Sequence, residues 1–145
     1  VGVSYLHPGT NFEFFGAIDA LWLGEDGEYL VVDYKATAKK DEVNLDADWQ
    51  ISYKRQMEIY QWLLRKNGLP ISNRGWFVYC NGKRDLNRFD NKVEFRVSLL
   101  PYDGNDDWVE TALIEAKETL NRGDLPPPDE NCDFCTYRQE TAVFE

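Results

Sequence analysis

Two short strings decide the fold of this chain: Gly16-Ala17-Ile18-Asp19 and, with its aspartate fourteen residues further on, Val31-Val32-Asp33-Tyr34-Lys35. They place three charged groups, Asp19, Asp33 and Lys35, in stretches that otherwise have the apolar composition of buried β-strands. Burying a charge is costly unless the charge is paired or binds a metal ion. Two carboxylates and one ammonium group are the parts that a site needs to hold a divalent ion and to stabilise negative charge on a phosphate.

The segment between the two strings predicts a β-hairpin. Residues 14–23 form an almost wholly apolar strand, and the return strand follows Asp26-Gly27, a pair typical of tight turns. Because side chains alternate across a strand, Asp33 and Lys35 share one face, with about 6.5–7 Å between their Cα atoms. A turn at Asp26-Gly27 places Asp19 opposite Asp33, whereas a slip of one residue would turn Asp19 to the other face. A solvated ion pair between Asp33 and Lys35 is the alternative to a catalytic site.

A long helix is predicted from Asp48 to Asn67, which contains neither glycine nor proline. We expect Asp48 to be the N-cap and Asn67-Gly68 to end the helix. One face of this helix carries Trp49, Tyr53, Gln56, Tyr60, Leu63 and Leu64. Gln56 and Tyr60 are four residues apart and are therefore neighbours on that face. The alternative for this pair is that Tyr60 belongs to the core and Gln56 to its boundary.

The remaining segments predict further elements of one α/β domain. The predicted strands are residues 1–6, 74–80 and 93–100, with a polar loop at residues 83–91. A second amphipathic helix is predicted over residues 106–122, with an apolar stripe formed by Trp108, Ala112, Leu113, Ala116 and Leu120. A chain of 145 residues with 43% hydrophobic content is long enough to bury a core.

These strings resemble the motifs of the PD-(D/E)XK nuclease superfamily, specifically its RecB-like exonuclease branch. The Pro-Asp position of the family falls on Ile18-Asp19, with Ile in place of Pro, and the (D/E)XK position falls on Asp33-Tyr34-Lys35. The Gln-x-x-x-Tyr signature of the branch falls on Gln56 and Tyr60. The resemblance covers residues 12–135. It implies an α/β, restriction-endonuclease-like core, in which a central mixed β-sheet is flanked by helices in three layers, within a single domain spanning residues 1–145.

The resemblance also implies a helix before the first strand, which often supplies a histidine or an acid to the site. No such helix precedes Val1, and we expect this N-terminal helix of the fold to be missing from the chain. His7 is the only histidine and is a candidate metal ligand, with a surface or loop position as the alternative. In the family, the resemblance implies that Gln56 and Tyr60 help to position the nucleic acid or the catalytic Lys35.

A second clue lies in the C-terminal cysteines, because Cys132 and Cys135 have the spacing of a metal knuckle. The tail resembles that of RecB-like nucleases with an iron–sulfur cluster, including CRISPR-associated and AddB-type relatives. Those proteins have a further cysteine where this chain has Thr141, and another upstream of the first motif. Two thiolates do not complete a four-ligand site, so we expect neither an iron–sulfur cluster nor Zn²⁺ on this chain alone. Three cysteines, without a signal peptide or a long apolar run, indicate a reducing, intracellular (cytoplasmic) setting and no membrane.

The charge balance argues against a broad nucleic-acid surface, because 26 acidic residues outnumber 16 basic ones and give a net charge of −10. A bound metal ion would offset part of the charge of the site carboxylates. We expect DNA binding to depend in part on a protein partner or a missing domain. Aromatic rings such as those of Trp49, Tyr53 and Trp76 could stack on single-stranded bases, with a place in the buried core as the alternative for most of them.

Together these observations predict a metal-dependent DNA nuclease that hydrolyses phosphodiester bonds. The resemblance alone implies that it acts in an exonuclease-like manner, at ends or in single strands. Asp19, Asp33 and the backbone carbonyl of Tyr34 are expected to hold Mg²⁺ or Mn²⁺, and Lys35 to assist the attacking water. The alternative is a catalytically inactive module with the nuclease fold that binds DNA or a protein partner. The acidic balance and the missing first helix favour that alternative.

Overall fold

The computed structural model describes residues 2–40, 42–84, 91–124 and 126–144. Its main elements are β1 (Gly2–His7), β2 (Phe12–Ala17), β3 (Ala20–Leu23), β4 (Tyr29–Thr37), α1 (Ile51–Lys66), β5 (Arg74–Gly82), β6 (Phe95–Asp103), α2 (Asp107–Asn121) and α3 (Asp133–Thr141). Short 3₁₀ helices precede α1 at Asp48–Gln50 and follow α3 at Ala142–Phe144. Most of the predicted polar loop, residues 85–90, lies outside the described residues.

A four-stranded mixed sheet with the order β3-β4-β5-β6 forms the centre of the fold. Strands β4 and β5 are parallel, and the other two neighbouring pairs are antiparallel. Parallel neighbours need a long crossover connection, which α1 supplies between β4 and β5. Strands β1 and β2 form a separate antiparallel pair. The predicted α/β fold with a central mixed sheet and flanking helices is confirmed.

The predicted hairpin joins β3 to β4. The N–H of Gly24 donates to the carbonyl of Glu28 at 2.8 Å, which closes the loop between the two strands. Gly27 has a φ of +84°, a left-handed conformation that glycine adopts at little cost because it has no Cβ. The predicted turn at Asp26-Gly27 therefore lies inside this loop.

The prediction of one continuous strand over residues 14–23 is wrong. The segment is divided at Ile18-Asp19, because β2 pairs with β1 while β3 pairs with β4 in the larger sheet. Ile18 is buried in the main core at this junction. The division leaves Asp19 immediately before β3, at the point where the chain passes from one sheet to the other.

Helix α1 is preceded by a 3₁₀ turn rather than capped by Asp48. The predicted N-cap residue is instead the first residue of that turn, and the Oε1 atom of Gln50 accepts a hydrogen bond from the N–H of Ala47 at 2.9 Å. At the other end, Asn67 and Gly68 end the helix as predicted, with Gly68 at a φ of +81°. The Nδ2 atom of Asn67 also donates to the carbonyl of Ser4 at 3.1 Å, which ties the helix end to β1.

The main core lies between α1 and one face of the large sheet, here called the inner face. It consists of Ile18, Val31, Met57, Leu64, Ile71, Phe77 and Tyr79. A second cluster joins α1 to α2 and consists of Trp62, Leu63, Val109 and Leu113. Each apolar side chain that is fully buried in this way contributes about 1.5–3 kcal/mol. Helix α1 is thus held from both sides, which fixes its residues relative to β4.

Helix α2 lies close to its predicted position but buries fewer residues than expected. Val109 and Leu113 are buried, whereas Leu120 of the predicted stripe is 70% exposed. Only the first half of α2 meets α1, so the apolar stripe continues beyond the contact. Helix α3 has no buried residue within the described part of the chain.

A buried carboxylate joins three elements of the fold. Glu58 of α1 accepts hydrogen bonds from Tyr102 Oη at 2.7 Å, from Trp108 Nε1 at 2.7 Å and from the N–H of Asn105 at 3.2 Å. Burial, together with the contact to Glu58, raises the pKa of Tyr102 well above its ordinary value. Charge-assisted hydrogen bonds of this kind are the stronger ones in proteins. Glu58 therefore fixes β6 and the start of α2 against α1.

Replacing Glu58 by alanine should lower the free energy of unfolding by about 3 kcal/mol, because the truncation leaves three donors without their acceptor. Urea denaturation followed by circular dichroism measures the change. Glu118→Ala, at an exposed position of α2, is the matched control and should change the free energy of unfolding by less than about 0.5 kcal/mol. Equal stability of the two variants would contradict this assignment.

Candidate metal centre and active site

The candidate site is built around Asp33, a carboxylate that is only 4% exposed on the inner face of β4. Loss of solvation on burial raises the pKa of Asp33 above its ordinary value. The ammonium group of Lys35 opposes that shift, and the negative charge of Asp19 adds to it. Since the shift is upward, the neighbouring cation compensates the buried charge only in part.

Lys35 lies two residues further along the same face, as the alternation of the strand predicts. Its Nζ atom is 2.7 Å from Asp33 Oδ2, which is an ion-pair distance. Among the described residues, the buried Oδ2 atom has no partner with hydrogen-bond geometry, so its contact with Lys35 is an ion pair without a directed hydrogen bond. A buried carboxylate oxygen that lacks a directed donor is suited to another positive ligand.

Asp19 reaches the same strand from the neighbouring chain segment. Its Oδ2 atom accepts a hydrogen bond from the backbone N–H of Tyr34 at 2.9 Å. Strand β3 pairs with β4 in a register that puts Ala20 opposite Val32, which continues to Asp19 opposite Asp33, as the hairpin argument predicts. The two carboxylates are thus brought to the same part of β4, the buried one on the inner face and the other exposed.

The Nζ atom of Lys35 is also held from α1. It donates to Gln56 Oε1 at 3.0 Å, and Gln56 Nε2 in turn donates to Tyr60 Oη at 2.9 Å. The ring of Tyr53 lies beside the same ammonium group, 4.2 Å from Nζ to the ring centroid. The structure therefore brings Gln56 and Tyr60 together with Asp33 and Lys35 in one connected network.

Gly16 allows Tyr60 to take its place in this network. A Cβ atom at Gly16 would lie 2.9 Å from Cε1 of the Tyr60 ring, closer than such atoms approach each other in proteins. The first string of the sequence thus supplies both the carboxylate of Asp19 and the space for the tyrosine that contacts Gln56.

The donor set of this site fits a hard divalent cation such as Mg²⁺ or Mn²⁺. Asp19 and Asp33 offer carboxylate oxygens, and one of these is the buried Oδ2 atom without a directed donor. Within the described part of the chain, no three side chains of His, Cys, Asp or Glu gather at one point. Mg²⁺ commonly uses one or two carboxylates and takes its other ligands from water and substrate phosphates, so two carboxylates suffice for it.

Comparison with known proteins assigns the fold to a family. The family model of the PD-(D/E)XK nuclease superfamily matches residues 1–139. The chain belongs to this superfamily.

The solved structure of SSO0001 resembles this PD-(D/E)XK chain with a TM-score of 0.52 and 20% sequence identity. The alignment covers 96% of this chain and 57% of SSO0001, so the chain spans little more than half the length of that protein. At this identity the likeness concerns the fold alone. No curated protein matches the chain significantly.

The structure does not bring His7 to the carboxylates of this PD-(D/E)XK site. His7 pairs with Phe12 at one end of the β1–β2 hairpin, whereas Ala17 pairs with Gly2 at the other, about 16 Å along the strands. The buried ring of His7 contacts Thr10 Oγ1 at 2.9 Å and Glu110 Oε2 at 2.8 Å. His7 thus anchors the hairpin to α2 and lies away from the Asp19 and Asp33 carboxylates.

Cys132 and Cys135 lie at the start of α3 as free thiols. The N–H of Cys135 donates to Cys132 Sγ at 3.3 Å, so Cys132 caps the helix. Hydrogen bonding between the two thiols lowers the pKa of Cys132 and raises that of Cys135. Thr141 donates its hydroxyl to the carbonyl of Tyr137 at 2.9 Å. No third cysteine, histidine or acid joins the pair among the described residues.

Sequence reasoning missed the role of Tyr53 as a neighbour of Lys35. The helical spacing puts Tyr53 on the correct face of the helix, three residues before Gln56, but indicates no more than a base-stacking or core role for it. The signal that could have identified this role is the spacing of Tyr53, Gln56 and Tyr60, which puts all three in one row along α1.

Among the described residues, no helix is both long and apolar enough to cross a membrane.

The raised pKa of Asp33 predicts how stability depends on pH in the metal-free protein. Since the folded pKa lies above the ordinary value of 3.8, protonation of Asp33 favours the folded state. This contribution is fully present below about pH 3.8 and is lost as pH rises through the folded pKa. The stability of the wild-type protein relative to Asp33→Asn should therefore fall as the pH rises above about 3.8 and through the folded pKa of Asp33.

Urea denaturation in EDTA at several pH values measures this difference. Asp124→Asn, at an exposed position after α2, is the matched control and should keep a constant difference from the wild type. A stability of the wild type that rises with pH relative to Asp33→Asn would show that Lys35 overcompensates burial.

Proposed function

We propose that this chain is a metal-dependent nuclease of the RecB-like exonuclease branch, which hydrolyses phosphodiester bonds of DNA at ends or in single strands. The observation that supports it most is the buried Asp33 carboxylate, whose Oδ2 atom lies beside Lys35 without a directed hydrogen bond. Membership of the PD-(D/E)XK nuclease superfamily supports the reaction class.

In this proposal, Asp19, Asp33 and the backbone carbonyl of Tyr34 would hold Mg²⁺ or Mn²⁺. The ion, when bound, would neutralise charge on the scissile phosphate and supply an activated water. The hydrogen bond from the Tyr34 N–H to Asp19 keeps that carboxylate on β4, beside Asp33.

Lys35 has the contacts expected of a group that acts on the reacting atoms. Its ammonium group is held by Asp33, Gln56 and the ring of Tyr53, so its position is fixed before substrate binds. A fixed cation at this point can donate a hydrogen bond to the attacking water and can stabilise negative charge that develops on the phosphate. Preorganisation matters because the donor need not reorient during the reaction.

The assignment to the RecB-like branch rests on Gln56 and Tyr60. Their spacing matches the signature of that branch, and their hydrogen bond leads to Lys35. We infer that Gln56 is a positioning residue, which acts on the reaction through the ammonium group of Lys35.

Purified wild-type protein should degrade 5′-labelled linear DNA when Mg²⁺ or Mn²⁺ is present and should not do so in EDTA. Lys35→Ala and Asp33→Asn should each lower kcat by about 100-fold or more, because each removes a group that acts on the developing charge. Lys117→Ala, which removes a lysine from α2, is the matched control and should retain full activity.

Isothermal titration with Mn²⁺ tests the metal site independently of cleavage, and binding should be lost in Asp19→Asn and Asp33→Asn. Circular single-stranded DNA should resist digestion while the linear form is degraded, since an exonuclease needs an end.

Cleavage that persists in Lys35→Ala would contradict the proposed mechanism. DNA binding without any metal-dependent cleavage would favour the inactive module, which the net charge of −10 also favours.

Gln56→Leu should lower kcat by about tenfold and leave KM nearly unchanged, because it removes the acceptor that orients Lys35 without removing the cation. Steady-state kinetics on linear DNA with Mn²⁺ measures the two parameters. Gln56→Glu, which keeps an acceptor for the lysine, should restore most of the activity. Gln139→Leu, an exposed change in α3, is the control. A change in KM alone would show that Gln56 contacts the DNA instead.

A further inference from the structure

Five basic side chains gather around one open pocket, although the chain as a whole is acidic. The pocket has a volume of about 790 Å³ and is lined by Lys39, Lys40, Asn81, Gly82, Lys83, Arg84 and Arg96. We call it the basic pocket. No carboxylate belongs to this lining among the described residues. A site of this composition favours a polyanion, even though the net charge of the chain is −10.

The basic pocket lies at one end of the large sheet, where β4 and β5 end and β6 begins. Its residues follow β4, form and follow the end of β5, and lie at the start of β6, with Asn81 paired to both Thr37 and Arg96. The N–H of Lys39 donates to Asn81 Oδ1 at 2.9 Å, and Asn81 Nδ2 donates back to the carbonyl of Lys39 at 3.1 Å. Arg84 Nη1 donates to the carbonyl of Ala38 at 3.0 Å.

The cations of the basic pocket differ in whether a described group of the protein already pairs with their charge. Lys83 is paired with Glu94 at 2.7 Å, and Arg84 is bonded to a backbone carbonyl. Lys40 and Arg96 are exposed and are paired with none of the described carboxylates. These two side chains are therefore the ones best able to contact phosphates.

Two aromatic rings flanked by two lysines connect the basic pocket to the candidate active site. Lys39 Nζ lies 4.7 Å from the ring centroid of Trp49, whose ring meets that of Tyr53 edge to face at 5.4 Å. Tyr53 in turn contacts Lys35. Lys35 and Lys39 are four residues apart, at most about 14 Å along the chain, so a strand of only a few nucleotides could bridge them.

Trp49 is the part of this row that a base could reach. Its side chain is 51% exposed, so part of the ring is open to a ligand. Stacking on an exposed aromatic ring is open to every base, but only where the base is not already stacked and paired in a duplex. The geometry thus favours single strands over duplex.

We propose that the basic pocket and Trp49 form a binding track for single-stranded DNA, which leads the strand away from the Asp19–Asp33–Lys35 site. The placement of this track beside a cleavage site rests on the proposed nuclease function. Lys40 and Arg96 contact backbone phosphates, and Trp49 stacks on a base. Binding along the track does not depend on base sequence, because phosphates and ring faces are common to all nucleotides.

Fluorescence anisotropy of a fluorescein-labelled 12-nucleotide oligodeoxythymidine, in EDTA, tests the track without cleavage. The double variant Lys40→Gln/Arg96→Gln should raise Kd by about tenfold at 150 mM salt and should reduce the slope of log Kd against log salt by about 1.4, or two phosphate contacts. Arg122→Gln/Arg138→Gln removes the same charge from exposed positions just after α2 and within α3 and should change Kd by less than about twofold. Trp49→Ala should raise Kd by at least about fivefold, and Phe134→Ala, which removes an exposed ring of α3, should not.

The outcomes separate the track from the nuclease. Equal Kd values for the pocket variant and its control, or no binding by the wild type, would overturn the track, whatever the cleavage assay shows. Binding that depends on Lys40, Arg96 and Trp49, in a protein that never cleaves DNA with Mn²⁺, would support the track and defeat the proposed nuclease. Equal affinity for a duplex of the same length, together with no effect of Trp49→Ala, would overturn the preference for single strands.

Discussion

The fold is organised around the burial of one carboxylate, that of Asp33. A charge removed from water in the middle of a sheet destabilises the protein unless other groups compensate for it, and here the compensation is partial, because the pKa of Asp33 remains above its ordinary value despite the adjacent Lys35. The surrounding core of apolar side chains supplies the stability that permits this local cost. Such a residual imbalance is typical of functional sites and would be relieved by a bound cation.

The rest of the structure serves to hold Lys35 against that carboxylate. Lys35 and Gln56 are 21 residues apart in sequence, and they meet because α1 crosses the inner face between the parallel strands β4 and β5. Helix α1 can pack this close to β2 because Gly16, which has no side chain, leaves room for the ring of Tyr60. Asp19 is available to the site because the chain leaves β2 just before it, so the change of sheet at Ile18 is part of the site's construction.

Much of this could be predicted from sequence because it depends on local rules. The alternation of β4, the turn at Asp26-Gly27 and the spacing of Gln56 and Tyr60 each follow from the periodicity of one element. The division of residues 14–23 could not be predicted, because it depends on the pairing of β2 with β1, which competes with a longer β3. The position of His7 away from Asp19 could not be predicted for the same reason, since it is set by the pairing of β1 with β2. The basic pocket also escaped prediction, since it is assembled from three segments that only the sheet brings together.

The acidic composition of the chain is compatible with a nucleic-acid ligand once distance is considered. At physiological ionic strength, interactions between exposed charges are largely screened beyond about 8 Å, so the local arrangement decides binding more than the net charge of −10 does. Several acids act internally, since Glu58, Asp106 and Glu110 bind donors of the fold. The Asp19 and Asp33 carboxylates are partly neutralised by Lys35 and would be neutralised further by a divalent ion. The basic pocket, where Lys40 and Arg96 are exposed, presents a local positive charge, and this local charge rather than that of the whole chain decides how an approaching phosphate is bound.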